Sequence, residues 1–415
     1  DGRLFWSHGV DCVCAWNATT PVTDREAYFA ELPQAGSPFE RFYGSASWAP
    51  HGFYKGKPSY RTFNFTAANL QRKYGEESSR AFADQAHRRL RSWGMNTIAN
   101  WSDASIFEMR RTPYTQTVSI HQAPSLEGSE GYWGKFYDVF DPAFREGVRR
   151  GMEGHRGKSA GDPWCLGYFV DNELSWGGQE LDLAKWTVAS PAGQKAKQAF
   201  LDDLKAKYGT VDKLNAAWGT SHASWEAWLE SRAVPESDGA KGDLGDFSTR
   251  MAETYFQVCR EEVKRVAPDN LYLGCRFAEV NDRAVRAAAK FCDVVSFNFY
   301  TENVVQEKLP EGVDKPMLVG EFHFGALDRG MFHTGLRGAA NQQERAWKYK
   351  NYVEGALRHP NIVGTHWFQY GDQATTGRGD GENYQIGFLD VCDTPYPEIV
   401  KASREVGEEI YSLRK

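Results

Sequence analysis

Two glutamates each close an apolar run: Glu173 in GYFVDNELSW (167–176) and Glu321 in PMLVGEFHF (316–324). A buried strand has no use for a carboxylate, because desolvating an unpaired one costs several kcal/mol. Acids at the exit of a core strand are placed where a bound molecule can meet them. If one carboxyl stays protonated and the other ionised, the pair can split an acetal: one gives a proton to the leaving oxygen, the other attacks carbon or activates water. Two neighbouring carboxylates resist both being charged, so proximity itself separates the two roles. A gap of ~5–5.5 Å implies a covalent intermediate, and one of ~6.5–9.5 Å implies inversion.

Other polar residues fall at the ends of similar runs. They are His8 and Asp11, then Asn100, Trp101 and Asp103, then His121, Asn172, Arg276, Asn298 and Tyr300, and finally His323, His366, Trp367 and Gln369. Asn172, beside Glu173, suits a hydrogen bond to a sugar 2-hydroxyl that strengthens in an oxocarbenium-like transition state. Tyr300 and His323 are expected to hold Glu321 ionised and aimed. Trp367 is expected to lie as a platform under the sugar, with Trp176 as a further cleft or packing ring. Arg276 is expected to pair with Glu321 or with a neighbouring acid. His8, Asp11, Asn100, Asp103, Asn298 and Gln369 are sugar-contact candidates.

Elements of regular spacing must carry these groups. Eight β-like runs, at 3–11, 95–101, 115–121, 164–173, 271–277, 293–299, 316–324 and 362–370, alternate with amphipathic stretches. Phe82, Ala86, Leu90 and Trp93 follow a helical period and stop at Gly94. A helix near 342–358 ends before Pro360, and Ile399, Ala402, Val406, Ile410 and Leu413 mark a last one behind Pro395 and Pro397. Strand–helix alternation of this kind predicts an α/β fold, a TIM (β/α)8 barrel, as a single catalytic domain over 1–415. Strands four and seven of such a barrel end across its mouth from each other. Long insertions after strands one and four, about 12–75 and 177–245, are expected to wall a cleft on that face.

Composition narrows the partner. Of 415 residues, 41% are hydrophobic and 25% charged, which fits a globular chain with a sizeable core. A net charge of −6 argues against nucleic acid, which needs a basic face. Aromatics reach 14%, with 14 Trp, and their flat apolar faces suit the C–H faces of sugar rings. The seven cysteines are scattered and odd in number, so they read as small buried side chains rather than a disulfide framework or a zinc site. No run of 18 apolar residues predicts a membrane span. The first residue is Asp1 rather than Met, so a processed start is expected, with a secreted, periplasmic or cell-envelope location.

Asn172–Glu173 ending strand four and Glu321 ending strand seven resemble the large clan of retaining (β/α)8 glycosidases. More narrowly, GEFHFGALDRGMFHTGL (320–336), HWFQYGDQ (366–373) and ENYQIGFLDVCDTPY (382–396) are similar to the β-agarases of glycoside hydrolase family 50. The resemblance covers the whole chain, and its most specific part is 320–336. It implies Glu173 as acid/base, Glu321 as nucleophile and no cofactor. The implied substrate is an agarose-type red-algal galactan, cut at β-1,4 linkages to neoagaro-oligosaccharides. Another galactan such as porphyran or carrageenan, or a simple β-galactoside, is the alternative. Two competing readings are a metal-dependent hydrolase using His8, Asp11, His121, Glu173 and His323, and a non-catalytic carbohydrate-binding barrel.

Overall fold

The computed structural model describes residues 4–414. Arg3, the first residue of the expected opening run, lies outside them. Strands are β1 (Ser7–Val10), β2 (Thr19–Pro21), β3 (Tyr43–Ala46), β4 (Tyr60–Asn64), β5 (Thr97–Ile98) and β6 (Tyr114–Val118). They continue as β7 (Cys165–Val170), β8 (Leu271–Tyr272), β9 (Val295–Asn298), β10 (Met317–Glu321) and β11 (Ile362–Trp367). Each of the eight expected runs contains a strand of one eight-stranded sheet, ordered β8-β7-β6-β5-β1-β11-β10-β9. Within it β1 pairs with β11 and β5, β5 with β6, and β7 with β8, each in parallel. The fold is mixed α/β and TIM-like.

The chain divides into two compact units. Unit 1 comprises Asp1–Thr115, Asn298–Glu307 and Leu318–Lys415, and unit 2 comprises Gln116–Phe297 and Lys308–Met317.

In unit 1, β1 and β10 are buried along their whole length, as parallel strands covered on both faces are, and in β1 this takes the polar Ser7 and His8 inside as well. The helix Ser78–Ser92 buries Phe82, Ala86 and Leu90 on one face. Gly94 ends the turn that follows at φ +74, and a Cβ there would stand 2.8 Å from the Gly407 Cα. Glycine is required at that crossing with the last helix, Pro397–Leu413. The aromatic heart of the unit sets Phe322 parallel to Tyr352 at 4.2 Å and edge-on to Trp367 at 5.2 Å. Truncating Phe322 to alanine would cost roughly 3–5 kcal/mol. Residues 19–64 add a separate three-stranded antiparallel sheet, ordered β2-β4-β3.

In unit 2, β7 is buried apart from Leu166. Trp176 stacks on Phe256 at 5.0 Å and meets Tyr255, Phe136 and Phe277 edge-on. Phe256 and Tyr255 come from the 29-residue helix Asp238–Val266. Four shorter helices, Asp182–Ala189, Lys195–Tyr208, Val211–Trp218 and Trp225–Glu230, precede it. Beyond β8 the chain runs on to Phe277, which forms a parallel bridge with Phe297 of β9.

Candidate active site

Unit 2 presents Glu173 just past β7. The ladder breaks there because Asp171 and Glu173 take left-handed backbone angles, φ +61 and +51. The Glu173 amide donates to the Arg276 carbonyl at 3.2 Å. Its carboxylate Oε2 accepts the indole N–H of Trp133 at 2.7 Å. The Arg276 guanidinium donates through Nε to Asn172 Oδ1 at 2.8 Å and lies over the Phe169 ring at 5.1 Å. Arg276 therefore fixes the Asn172 amide through its Oδ1.

Asp171 answers a different need. Its Oδ2 accepts from the Tyr255 hydroxyl at 2.8 Å. Its Oδ1 accepts from the Tyr137 hydroxyl and the Ile120 amide, both at 3.3 Å. Burial pushes its carboxyl up to about 7, against the pull of these donors. It pins the turn that carries Asn172 and Glu173.

Unit 1 presents Glu321 at the end of β10, 5% exposed. Tyr300 donates its hydroxyl to Glu321 Oε2, as the sequence suggested. His323 behaves otherwise. Its Nε2 accepts the Leu336 amide at 2.8 Å, so the ring is neutral with its proton on Nδ1. Burial, with Arg345, Arg337 and His333 nearby, pushes it down to about 3. A neutral ring cannot hold Glu321 by charge. Nδ1 is buried and has no hydrogen-bond partner among the described residues.

Several expected sugar contacts are structural instead. Trp367 is 0% exposed, with its N–H donated to the Ile386 carbonyl at 2.7 Å. Trp176, also 0% exposed, is the centre of the aromatic cluster of unit 2. Neither ring has a face for a sugar. His8 is 1% exposed and has both ring nitrogens engaged, with the Gly94 carbonyl at 2.9 Å and the Tyr349 hydroxyl at 2.5 Å. Asp103 caps a helical turn by accepting the Ser105 amide at 2.9 Å. Gln369 is buried and donates to the Gly371 carbonyl, and Asp11 is buried and accepts the Asn100 amide. Asn298 lies buried at the end of β9. Asn100 differs from all these: it is fully buried, and neither polar atom of its side chain has a partner among the described residues. Such a group calls for a ligand or ordered water.

The aromatic faces that remain open are others. Trp101 is 38% exposed in unit 1, edge-on to Phe368. Trp133 is half-buried in unit 2. Trp133 was missed by sequence reading because it sits in a loop, far from any strand end, with no spacing to mark it. Among the described residues no three His, Cys, Asp or Glu side chains gather as ligands for a metal ion. No helix among them is long and apolar enough to cross a membrane.

A parallel sheet of this order with glutamates closing two of its strands is the arrangement of the TIM-like glycosidases. A family model described as beta-galactosidase (Glyco_hydro_42) matches residues 136–331. The chain is 37% identical, over its full length, to beta-agarase B of Vibrio sp. (strain JT0107), of which it covers 47%. Among solved structures, the agarase AgWH50C is 33% identical with a TM-score of 0.89, over 99% of this chain and 62% of that one. An exo-beta-agarase is 32% identical with a TM-score of 0.91, over 99% and 62%. The resemblance to the β-agarases read from the sequence is thus borne out along the whole chain. The chain spans about half the length of the curated relatives it matches.

Proposed function

We propose that this chain is the catalytic domain of a retaining β-glycosidase that hydrolyses β-1,4 linkages of agarose-type galactans to neoagaro-oligosaccharides. Residues 1–415 act in this reading as one closed (β/α)8 barrel with insertions at about 12–75 and 177–245 walling its cleft. The Phe277–Phe297 bridge supports closure. Glu173 protonates the departing glycosidic oxygen, and Glu321 attacks the anomeric carbon to form a glycosyl–enzyme ester. Glu173 then takes a proton from water, which breaks the ester and releases the sugar with its configuration retained. Tyr300 aims Glu321, Trp133 aims Glu173, and Asn172, held by Arg276, addresses the 2-hydroxyl. Asn100 and His323 are proposed sugar contacts.

The observation that carries this reading is that both strand-end glutamates have a hydrogen-bond donor directed onto the carboxylate, Trp133 on Glu173 and Tyr300 on Glu321. The similarity to beta-agarases supports the substrate. A polymeric galactan does not enter cells, so the site of action is proposed as secreted, periplasmic or at the cell envelope. The test is Glu321→Gly. Turnover of agarose oligosaccharides should be lost with the fold intact, and azide should restore a glycosyl azide product. Full activity in that variant removes Glu321 from the mechanism.

A further inference from the structure

The donor to Glu173 rides on the tip of a hairpin in unit 2. Residues 124–138 close its base: the Leu126 amide donates to the Phe136 carbonyl at 2.7 Å and the Asp138 amide to the Pro124 carbonyl at 2.9 Å, beside an antiparallel Ser125–Tyr137 bridge. The segment joining the helices Asp182–Ala189 and Lys195–Tyr208 braces it from outside. There Gln194 accepts the Glu127 amide at 2.7 Å and donates to the Ser125 carbonyl at 3.0 Å, and the Ser190 hydroxyl accepts the Gly128 amide at 2.9 Å. Lys135 spans the two arms by donating its ammonium to the Glu127 carbonyl.

With its base held, the tip 130–135 leans on the turn that carries Glu173. A Cβ on Gly131 would collide with the Ser175 hydroxyl and the Gly134 carbonyl, and Gly134 takes φ +139, so both positions ask for glycine. Every residue of the tip is exposed except Trp133. Trp133 is drawn inward by its N–H, which donates to Glu173 Oε2 at 2.7 Å. Tyr132 stands edge-on to Trp133, ring centres 4.7 Å apart and planes at 83°, and is 66% exposed. One indole therefore separates the Glu173 carboxylate from an exposed phenol ring.

We propose that Tyr132 is a specificity-determining residue of the leaving-group subsite, where it covers the sugar ring that departs from Glu173. The inference rests on the glycosidase reading above. In that reading the bond from the anomeric carbon to the glycosidic oxygen breaks, its electron pair stays on oxygen, and the Glu173 proton makes that oxygen a hydroxyl of the departing sugar. Glu173 must stand within hydrogen-bond reach of this oxygen. A sugar ring bonded to it is brought to the hairpin tip, whereas Asn172 addresses the 2-hydroxyl of the sugar that stays. The Tyr132 ring offers the departing sugar a flat apolar face with a polar edge, which suits its C–H groups and hydroxyls together.

The test compares two substrates with the same sugar on the retained side: an agarose oligosaccharide, whose leaving group is a sugar, and the β-glycosyl fluoride, whose leaving group has no ring. The readout is the ratio of their kcat/KM values on the full chain. In Tyr132→Ala this ratio should fall about tenfold, through a higher KM for the oligosaccharide. Tyr132→Phe keeps the ring and should restore most of the ratio. An unchanged ratio in Tyr132→Ala overturns the proposal. So does an equal loss on both substrates, which would show Tyr132 acting through Trp133 and Glu173 rather than on the sugar. Failure of the glycosidase reading is distinct, because the unaltered chain would then cleave neither substrate.

Discussion

Tyr300 and Trp133 each place a donor on a carboxylate, Glu321 and Glu173 respectively, and that is where the proposed chemistry is most exposed to mutation. A hydrogen bond to a charged group contributes about 1.5–3 kcal/mol. Tyr300→Phe should therefore lower kcat/KM on agarose oligosaccharides by roughly 10- to 150-fold, with the melting temperature nearly unchanged. Trp133→Phe keeps the ring and removes the N–H, and should cost a similar factor, mostly in kcat. If KM alone moves in either variant, the residue binds sugar rather than aiming a glutamate. At this scale the sequence was legible in position: Glu173, Glu321, Asn172 and Tyr300 all stand at or just past the strand ends where they were expected. It was illegible where rotation decides. Trp367 and Trp176 follow strand ends too, yet their rings turn inward against Phe322 and Phe256, and no pattern in one dimension gives that direction.

Strand ends are also where the elements depart from expectation. The run 164–173 reads as one strand, but the ladder stops at Val170, and 271–277 shrinks to Leu271–Tyr272. Asp171, Glu173 and Arg276 all take positive φ, at +61, +51 and +55. Each such residue costs on the order of 1–3 kcal/mol, which the surrounding contacts must offset. Apolar periodicity located all eight strands because it reports burial, and it could not report where the backbone twists out of register.

Asp171 supplies much of what holds the turn, and its titration makes a testable consequence. Its folded value of about 7 lies above the ordinary aspartate value of 3.8. Between those limits the folded chain keeps a proton that the unfolded chain has lost, so stability falls as pH rises through the window. The loss is roughly 1.4 kcal/mol for each pH unit of difference. Asp171→Asn cannot ionise. Its melting temperature, compared with the unaltered chain, should therefore improve steadily from pH 4 to pH 7 and then level off. A constant offset across that range would show that Asp171 does not titrate there.

For the molecule as a whole, the acidic charge balance and the aromatic content agree with a carbohydrate partner, and the proposed mechanism asks for no metal. Hydrolysis should be unchanged after exhaustive dialysis against a chelator, measured as reducing ends released from agarose. Loss of activity restored by a divalent cation would favour the metal-dependent alternative. The products should appear first with the β configuration at the new reducing end, read by proton NMR before mutarotation. An initial α product would mean inversion. The whole-chain resemblance was visible in motifs such as 320–336, whereas the division into two compact units was not, because contact density leaves no mark on local sequence.

The cysteines lead to a practical end. All seven are free, six are buried, and only Cys392 is exposed. Burial lifts the inner thiols well above their usual range, so they stay protonated and inert, as for Cys259 and Cys275. A maleimide reagent should therefore tether the folded protein at one point, next to the buried Asp393 that ties the helices 65–74 and 78–92 to the C-terminal region through Lys73 and Arg89. Mass spectrometry should find a single adduct, giving oriented coupling to a bead or dye without engineering a handle.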